Sequence, residues 1–152
     1  MTIRRALLRL SGRGLGLLCA AAAPAAAQQP AQVTYVDAAT VAEAFAKGGR
    51  LASGSDYTAA VSVRTAAGQV EVHDKETDIF YVVEGSATFV TGGRMIGGTQ
   101  PRPDQWLGTD IDGGQVHHLK TGDVIVIPAG VPHWFKDVPV SVRYYMVKSV
   151  RP

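Results

Sequence analysis

From about residue 50 onward, apolar side chains recur at every second position in short runs, and glycine-containing turn pairs close most of those runs. This period-two rhythm constrains the fold more than any other feature of the chain, because helices repeat at 3.6 residues and cannot satisfy it. The runs cover residues 57–64, 69–73, 78–83, 87–91, 116–119, 124–127, 133–135 and 141–147. Ala67-Gly68, Glu84-Gly85, Gly92-Gly93, Thr121-Gly122 and Ala129-Gly130 punctuate them. Some eight strands at this spacing predict an all-β sandwich or barrel. Between residues 92 and 114 the rhythm breaks into a stretch rich in glycine, with Pro101, Pro103 and Trp106. We read it as a long loop or flap, with one short strand at Arg94, Met95 and Ile96. Ahead of the strands, Asp37 is placed to cap a short helix over residues 38–47. Val41 and Phe45 share one face of it, and Gly48-Gly49 stop it.

The N-terminus obeys different rules. Arg4, Arg5, Arg9 and Arg13 precede an apolar stretch that ends in small residues, with Ala25 and Ala27 suited to a signal-peptidase pocket. Residues 1–27 therefore read as an export signal, residues 28–36 as a mobile lead-in, and residues 37–152 as the folded domain. Arg4-Arg5 resembles a twin-arginine signal, although Ile3 stands where Ser or Thr is usual, and an ordinary secretion signal is the alternative. The apolar stretch falls short of the ~20 residues that span a bilayer, so no stable membrane anchor is expected. Cys19 follows Leu18 rather than the small residue a lipoprotein signal needs, and so falls in the discarded segment. It is the chain's single cysteine, so the exported form has neither a disulfide nor a thiolate ligand or nucleophile.

Charge tells a related story. The chain carries 15 basic and 13 acidic residues, for a net +2. Without the four N-terminal arginines, 11 basic residues face the same 13 acidic ones, and the exported form carries −2. A basic nucleic-acid-binding surface is excluded as the leading idea. The chain also lacks a phosphate loop, a dinucleotide fingerprint and a serine nucleophile elbow.

One stretch carries a specific pattern: Gly122, then Pro128, Gly130, His133 and Asp137, around the apolar run 124–127. It resembles the second cupin motif, G-x5-P-x-G-x2-H-x3-N, with Asp137 in place of the closing Asn. The first cupin motif, G-x5-H-x-H-x3,4-E-x6-G, is matched in altered form. With Gly85 as anchor, Asp78 takes the Glu position, His73 the second His, Glu71 the first His and Thr65 the leading Gly. The two motifs cover roughly residues 65–137. The resemblance implies a cupin β-barrel, a jelly-roll-like double-stranded β-helix, with a divalent metal inside and pairing of two copies through their sheets. It implies His73, His133, Asp78 and Glu71 as metal ligands.

Strand parity bears on the same residues independently. Glu71 and His73 are two apart, so both side chains face one way. If that way is inward, an unpaired Glu71 would be costly, and a cation between it, His73 and His133 would remove the cost. Two imidazoles and a carboxylate suit iron, with Mn, Ni, Cu or Zn as alternatives. The bland readings are a Glu71 ion pair to Arg64 or Lys75, and an Asp78 that caps the turn formed by residues 75–77. His117 and His118 are neighbours on one strand and face opposite sides, so both are assigned outside the site. Arg143, of a type able to bind a carboxylate, is read as a surface residue.

Together with the N-terminal pattern, the resemblance implies an exported metal-dependent enzyme acting on a small organic molecule, of dioxygenase, isomerase or lyase type. Glu71 would be its general base if it is not a ligand. The alternative is a non-catalytic module that binds a metal or small ligand. Its home would be the periplasm or the exterior. The first expected outcome concerns export: intact-mass measurement of the exported protein should place Gln28 first. Retained Met1 or a lipid on Cys19 would contradict it.

Overall fold

The computed structural model describes residues 32–150. The export signal expected over residues 1–27 and the first four residues of the lead-in, 28–31, lie outside them. The chain order is α1 (Ala38–Lys47), β1 (Gly49–Ser53), β2 (Tyr57–Arg64), β3 (Val70–His73), β4 (Glu76–Thr91), β5 (Arg94–Ile96) and β6 (Thr99–Arg102). It continues through β7 (Gln105–Gly108), β8 (Asp110–Asp112), β9 (Gln115–Lys120), β10 (Val124–Ile127), β11 (His133–Asp137) and β12 (Val142–Val150). The expected all-β architecture with one short N-terminal helix is what forms.

Asp37 caps α1 by accepting the Thr40 amide at 2.9 Å, and Gly48 ends the helix by donating its amide to the Ala44 carbonyl at 2.7 Å. The helix lies against β1 and β2 and buries Ala44. No helix among the described residues is long and apolar enough to cross a membrane.

Strand β4 organises the sheets. Its first half pairs with β12 and β10, its second half with β9 and β11. The runs 78–83 and 87–91, which the sequence separates by a Glu84-Gly85 turn, are thus one 16-residue strand. Gly85 is a bend within it. Opposite β12, Arg143 pairs with Glu84 and Tyr144 with Val82, so Val83 is an extra, bulged residue. Gly85 takes φ +82°. A bulge followed by a left-handed glycine lets one strand leave one sheet and join another. One sheet face then runs β1-β2-β12-β4-β10 and the other β6-β7-β3-β11-β4-β9, all antiparallel.

The stretch from 92 to 114 is a correction to the sequence reading. The short strand at residues 94–96 forms and pairs with β8, but β6 and β7 add a hairpin that extends the β3 sheet. Thr99-Gln-Pro-Arg and Gln105-Trp-Leu-Gly are too short and polar to show alternation, and cross-strand pairing, not local pattern, makes them strands. Strand β1 escapes the sequence reading for the same reason.

Between the faces, Phe80, Phe89, Phe135 and Tyr144 form a ring cluster with centroids 4.6–6.1 Å apart, in the tilted, edge and offset contacts aromatic pairs prefer. Val82, Leu119, Ile127 and Val142 pack around it. This plug fills one end of the barrel and leaves the other end to polar groups.

A Cβ added at Gly85 would overlap the Ser141 carbonyl oxygen, a backbone atom that cannot swing aside. Gly85→Ala should therefore cost the roughly 1–2 kcal/mol of a left-handed L-residue plus a steric penalty. Gly122→Ala, at φ +93° with open space around it, should cost the backbone part alone. Denaturation midpoints of the two variants test this, and equal losses would refute it.

Candidate metal centre

Four strands converge at the polar end of the barrel. β3 brings Glu71 and His73, β4 brings Glu76 and Asp78, β11 brings His133 and β12 brings Lys148. Their register explains the meeting. His133 pairs directly with Glu71, and Lys148 with Asp78, and paired residues share a face. His73, Asp78 and His133 are the buried polar residues of the described chain.

The side chains converge further. His73 Nε2 lies 3.3 Å from Glu71 Oε2 and 3.6 Å from Asp78 Oδ2, and His133 Nε2 lies 3.4 Å from Asp78 Oδ2. Glu71, His73 and His133 each offer a donor atom within 4.8 Å of the others, and so do His73, Glu76 and Asp78. Bonds of about 2.0–2.2 Å to a common ion put neighbouring donors roughly 3.0–3.6 Å apart. The observed separations match that spacing.

Two details show how the rings are prepared. His133 Nδ1 lies 3.0 Å from the Val131 carbonyl, which can only accept, so Nδ1 carries the proton and Nε2 turns its lone pair to the site. His73 is different. It is 3% exposed, and neither ring nitrogen has a hydrogen-bond partner, since the nearby carboxylates approach without hydrogen-bond alignment. A buried imidazole with both nitrogens unsatisfied is expensive, and a cation at Nε2 removes the larger part of that cost. Glu76 faces the other nitrogen, Nδ1, at 3.5 Å. This is where a metal-binding histidine usually keeps an outer carboxylate. The residues present therefore fit a divalent ion.

Two of the acids, Glu71 and Asp78, are held in the ionised form. Burial pushes the Glu71 carboxyl up, but contact with His73 and the neighbouring His133 ring and Arg64 guanidinium outweigh burial and hold it below its usual range. For Asp78, burial again raises the value, and His133 and Lys148 more than reverse it. Lys148 donates to Asp78 Oδ1 at 2.7 Å and lies 3.0 Å from Glu76. Those two acids share one ammonium, whereas the cation beside Glu71 is Arg64, at a longer 3.4 Å. Glu71, His73 and His133 thus form the group that lacks a close ammonium, and Asp78 Oδ2 faces it from the side.

Both the inward and the bland readings of Glu71 hold together: Oε2 faces His73 and Oε1 faces Arg64. Lys75 pairs instead with Asp104. Asp78 is not a solvent-facing turn cap, being 2% exposed. His117 bonds Thr91 at 2.8 Å and His118 is exposed, and neither joins the cluster. Arg143 pairs with Glu84 outside the barrel. The sequence reading missed Glu76, Lys148 and Arg64 as members of the site. Lys148 had a signal, since Val142, Tyr144, Met146 and Lys148 share strand parity, but the predicted strand stopped at Val147.

The family profile described as "Cupin" matches residues 26–149. The chain belongs to the cupin family. The Cnp3 cupin domain of Schizosaccharomyces pombe is similar at 14% identity and a TM-score of 0.50, over 68% of this chain and 60% of that one, so this cupin spans under two thirds of it. Two further similar structures are TT1209 of Thermus thermophilus (17%, TM-score 0.48, 70% and 87% covered) and the DMSP lyase DddQ of Ruegeria pomeroyi (17%, 0.45, 63% and 39% covered). A search of curated protein sequences found no match. At these identities the likeness concerns fold. Relative to the common motif, this cupin puts Glu71 where a histidine is usual and Asp78 where a glutamate is usual.

His73→Ala and His133→Ala should each lower metal affinity by more than the ~10–100-fold typical of losing an outer-shell partner, and Glu76→Gln should fall within that range. His117→Ala and His118→Ala should keep parental metal content by elemental analysis. Metal loss in those two variants with retention in His73→Ala would displace the centre.

Proposed function

We propose that this cupin is an exported, metal-dependent enzyme acting on a small organic molecule. One observation carries the reading: the unpartnered imidazole of His73 and its facing donors open onto a cavity of about 250 Å³ rather than being sealed in the core. A purely structural ion needs no such opening, whereas a catalytic ion needs open coordination positions that a substrate can reach. The candidate ligands are Glu71, His73 and His133, with Asp78 beside them, and Fe or Mn are the preferred ions over Ni, Cu and Zn, because a carboxylate replaces an imidazole.

The bound ion would supply Lewis acidity or dioxygen chemistry, which suits dioxygenase, isomerase or lyase reactions. The chain's own residues do the rest. The Val131 carbonyl keeps the His133 ring turned to the site, and Glu76 faces Nδ1 of His73 from behind. Phe80, Phe135 and Tyr144 wall the cavity's apolar side and limit water. Glu71, if it leaves the coordination shell, is the nearest ionised group able to take a proton from a substrate.

Export and pairing belong to the same proposal. The arginine-rich start supports a periplasmic or secreted location. Ile79, Tyr81, Val124 and Val126 leave the outer face of β4 and β10 exposed and apolar, which supports a homodimer through that sheet.

Elemental analysis of the purified exported protein should find about one transition-metal ion per chain. Oxygen-uptake and turnover screens on small organic molecules should then find metal-dependent activity. Glu71→Gln separates two roles: weaker metal retention marks a ligand, and retained metal with lost turnover marks a base. A loaded protein silent across all screens would support the non-catalytic binding module instead.

A further inference from the structure

The wall of the cavity facing the candidate metal ligands carries more cations than the metal centre itself uses. Glu71 and Asp78 on the lining, with Glu76 behind Lys148, supply three acids against the three bases Arg64, Arg102 and Lys148. The charges cancel before any metal is bound and leave two positive charges with a divalent ion in place. Residues 28–152 as a whole carry −2. A concave, positive site in a negative protein focuses anions.

Arg64 is the built part of this wall. Its Nε donates to the Tyr144 hydroxyl at 3.2 Å, its guanidinium lies 4.7 Å over the Phe135 ring, and Nη2 reaches Glu71 Oε1 at 3.4 Å. A Cβ at position 68 would come within 2.7 Å of Nη1, so Gly68 leaves the space that the fork occupies. Two of the five N–H groups have protein partners, and the side chain is 29% exposed. The guanidinium is thus oriented by its neighbours and not consumed by them. Arg102 comes from the other sheet. The β6–β7 hairpin pairs Arg102 with Gln105, and Gln105 with His73, so all three share one sheet face, with Arg102 at its exposed rim. Arg102 Nε donates to the Gln105 side chain, which holds it over that face.

We propose that the cavity selects a small organic carboxylate, anchored by Arg64 with Arg102 opposite. The inference rests on the metal-dependent reading above for what happens next to the anchor. Glu71 connects the two: one oxygen faces Arg64 and the other faces His73. A carboxylate gripped by Arg64 therefore brings the adjoining carbon atoms beside the candidate metal position. A planar fork matches a carboxylate's two oxygens and discriminates against neutral amides, which offer one acceptor and present N–H groups to a donor. The cavity volume limits the ligand to a few carbons and excludes extended chains.

The test is titration calorimetry of the purified, metal-analysed full chain with three acid–amide pairs: lactate and lactamide, succinate and succinamide, benzoate and benzamide. At least one acid should bind roughly tenfold or more tightly than its amide. Arg64→Gln should erase that preference, Arg64→Lys should restore part of it, and Arg102→Gln should weaken acid binding while metal content stays parental. Amides binding as well as acids, or no acid binding to the folded parent protein, overturns the inference. The two readings fail separately. Acid preference in a protein without metal upholds carboxylate selection and removes the metal reading. Metal without acid preference does the reverse.

Discussion

The close approach of Gly85 to the Ser141 carbonyl is the constraint on which the barrel rests. β4 contributes to both sheets, and every strand that builds the metal centre is either β4 itself or paired to it directly or through one neighbour. The strand can change sheets only where its backbone takes a left-handed turn beside another chain segment. A glycine satisfies both demands, having neither a Cβ to clash nor a penalty at positive φ. Asp78 lies seven residues before this bend and Phe89 four after it. Geometry at position 85 thus sets how the site-bearing half of the strand is aimed relative to the half that forms the plug.

Much of this was legible in the sequence because it rests on local rules. Each alternating run coincides with a strand, two of them joined as β4, and Asp37 and Gly48 bound the helix. Parity put Glu71 with His73. What could not be read was decided at a distance. β6 and β7 are strands because β3 offers them a partner, and 84–85 is a bend rather than a turn because β12 continues pairing across it. Glu76 and Lys148 were invisible for the same reason: each looks like a solvated charge until the other, 72 positions along, is brought to 3.0 Å.

Within the site, opposite charges are apportioned rather than pooled. Lys148 is shared by Glu76 and Asp78, and Arg64 touches Glu71 loosely, so the donors not held closely by a cation gather around one point. A cluster of three acids and two imidazoles, with Asp78 and both rings buried, would be ruinous if each were desolvated alone. Here each acid has a neighbouring cation or imidazole, and the shortfall falls on His73. That imbalance is local, and it makes this part of the barrel interior suited to a divalent ion.

The donors come from positions 71, 73, 78 and 133, and the balancing ammonium from position 148. No fragment of the chain short of the full barrel brings these groups together, because β11 and β12 close the sheets that β3 and β4 begin. Contacts so distant in sequence form late, after the entropy of long loops has been lost. The site is therefore a record of completed folding: a nascent or half-assembled chain presents scattered histidines that compete poorly for an ion. Selection of the metal is consequently made by the finished geometry, in whichever compartment the barrel closes, from the ions available there.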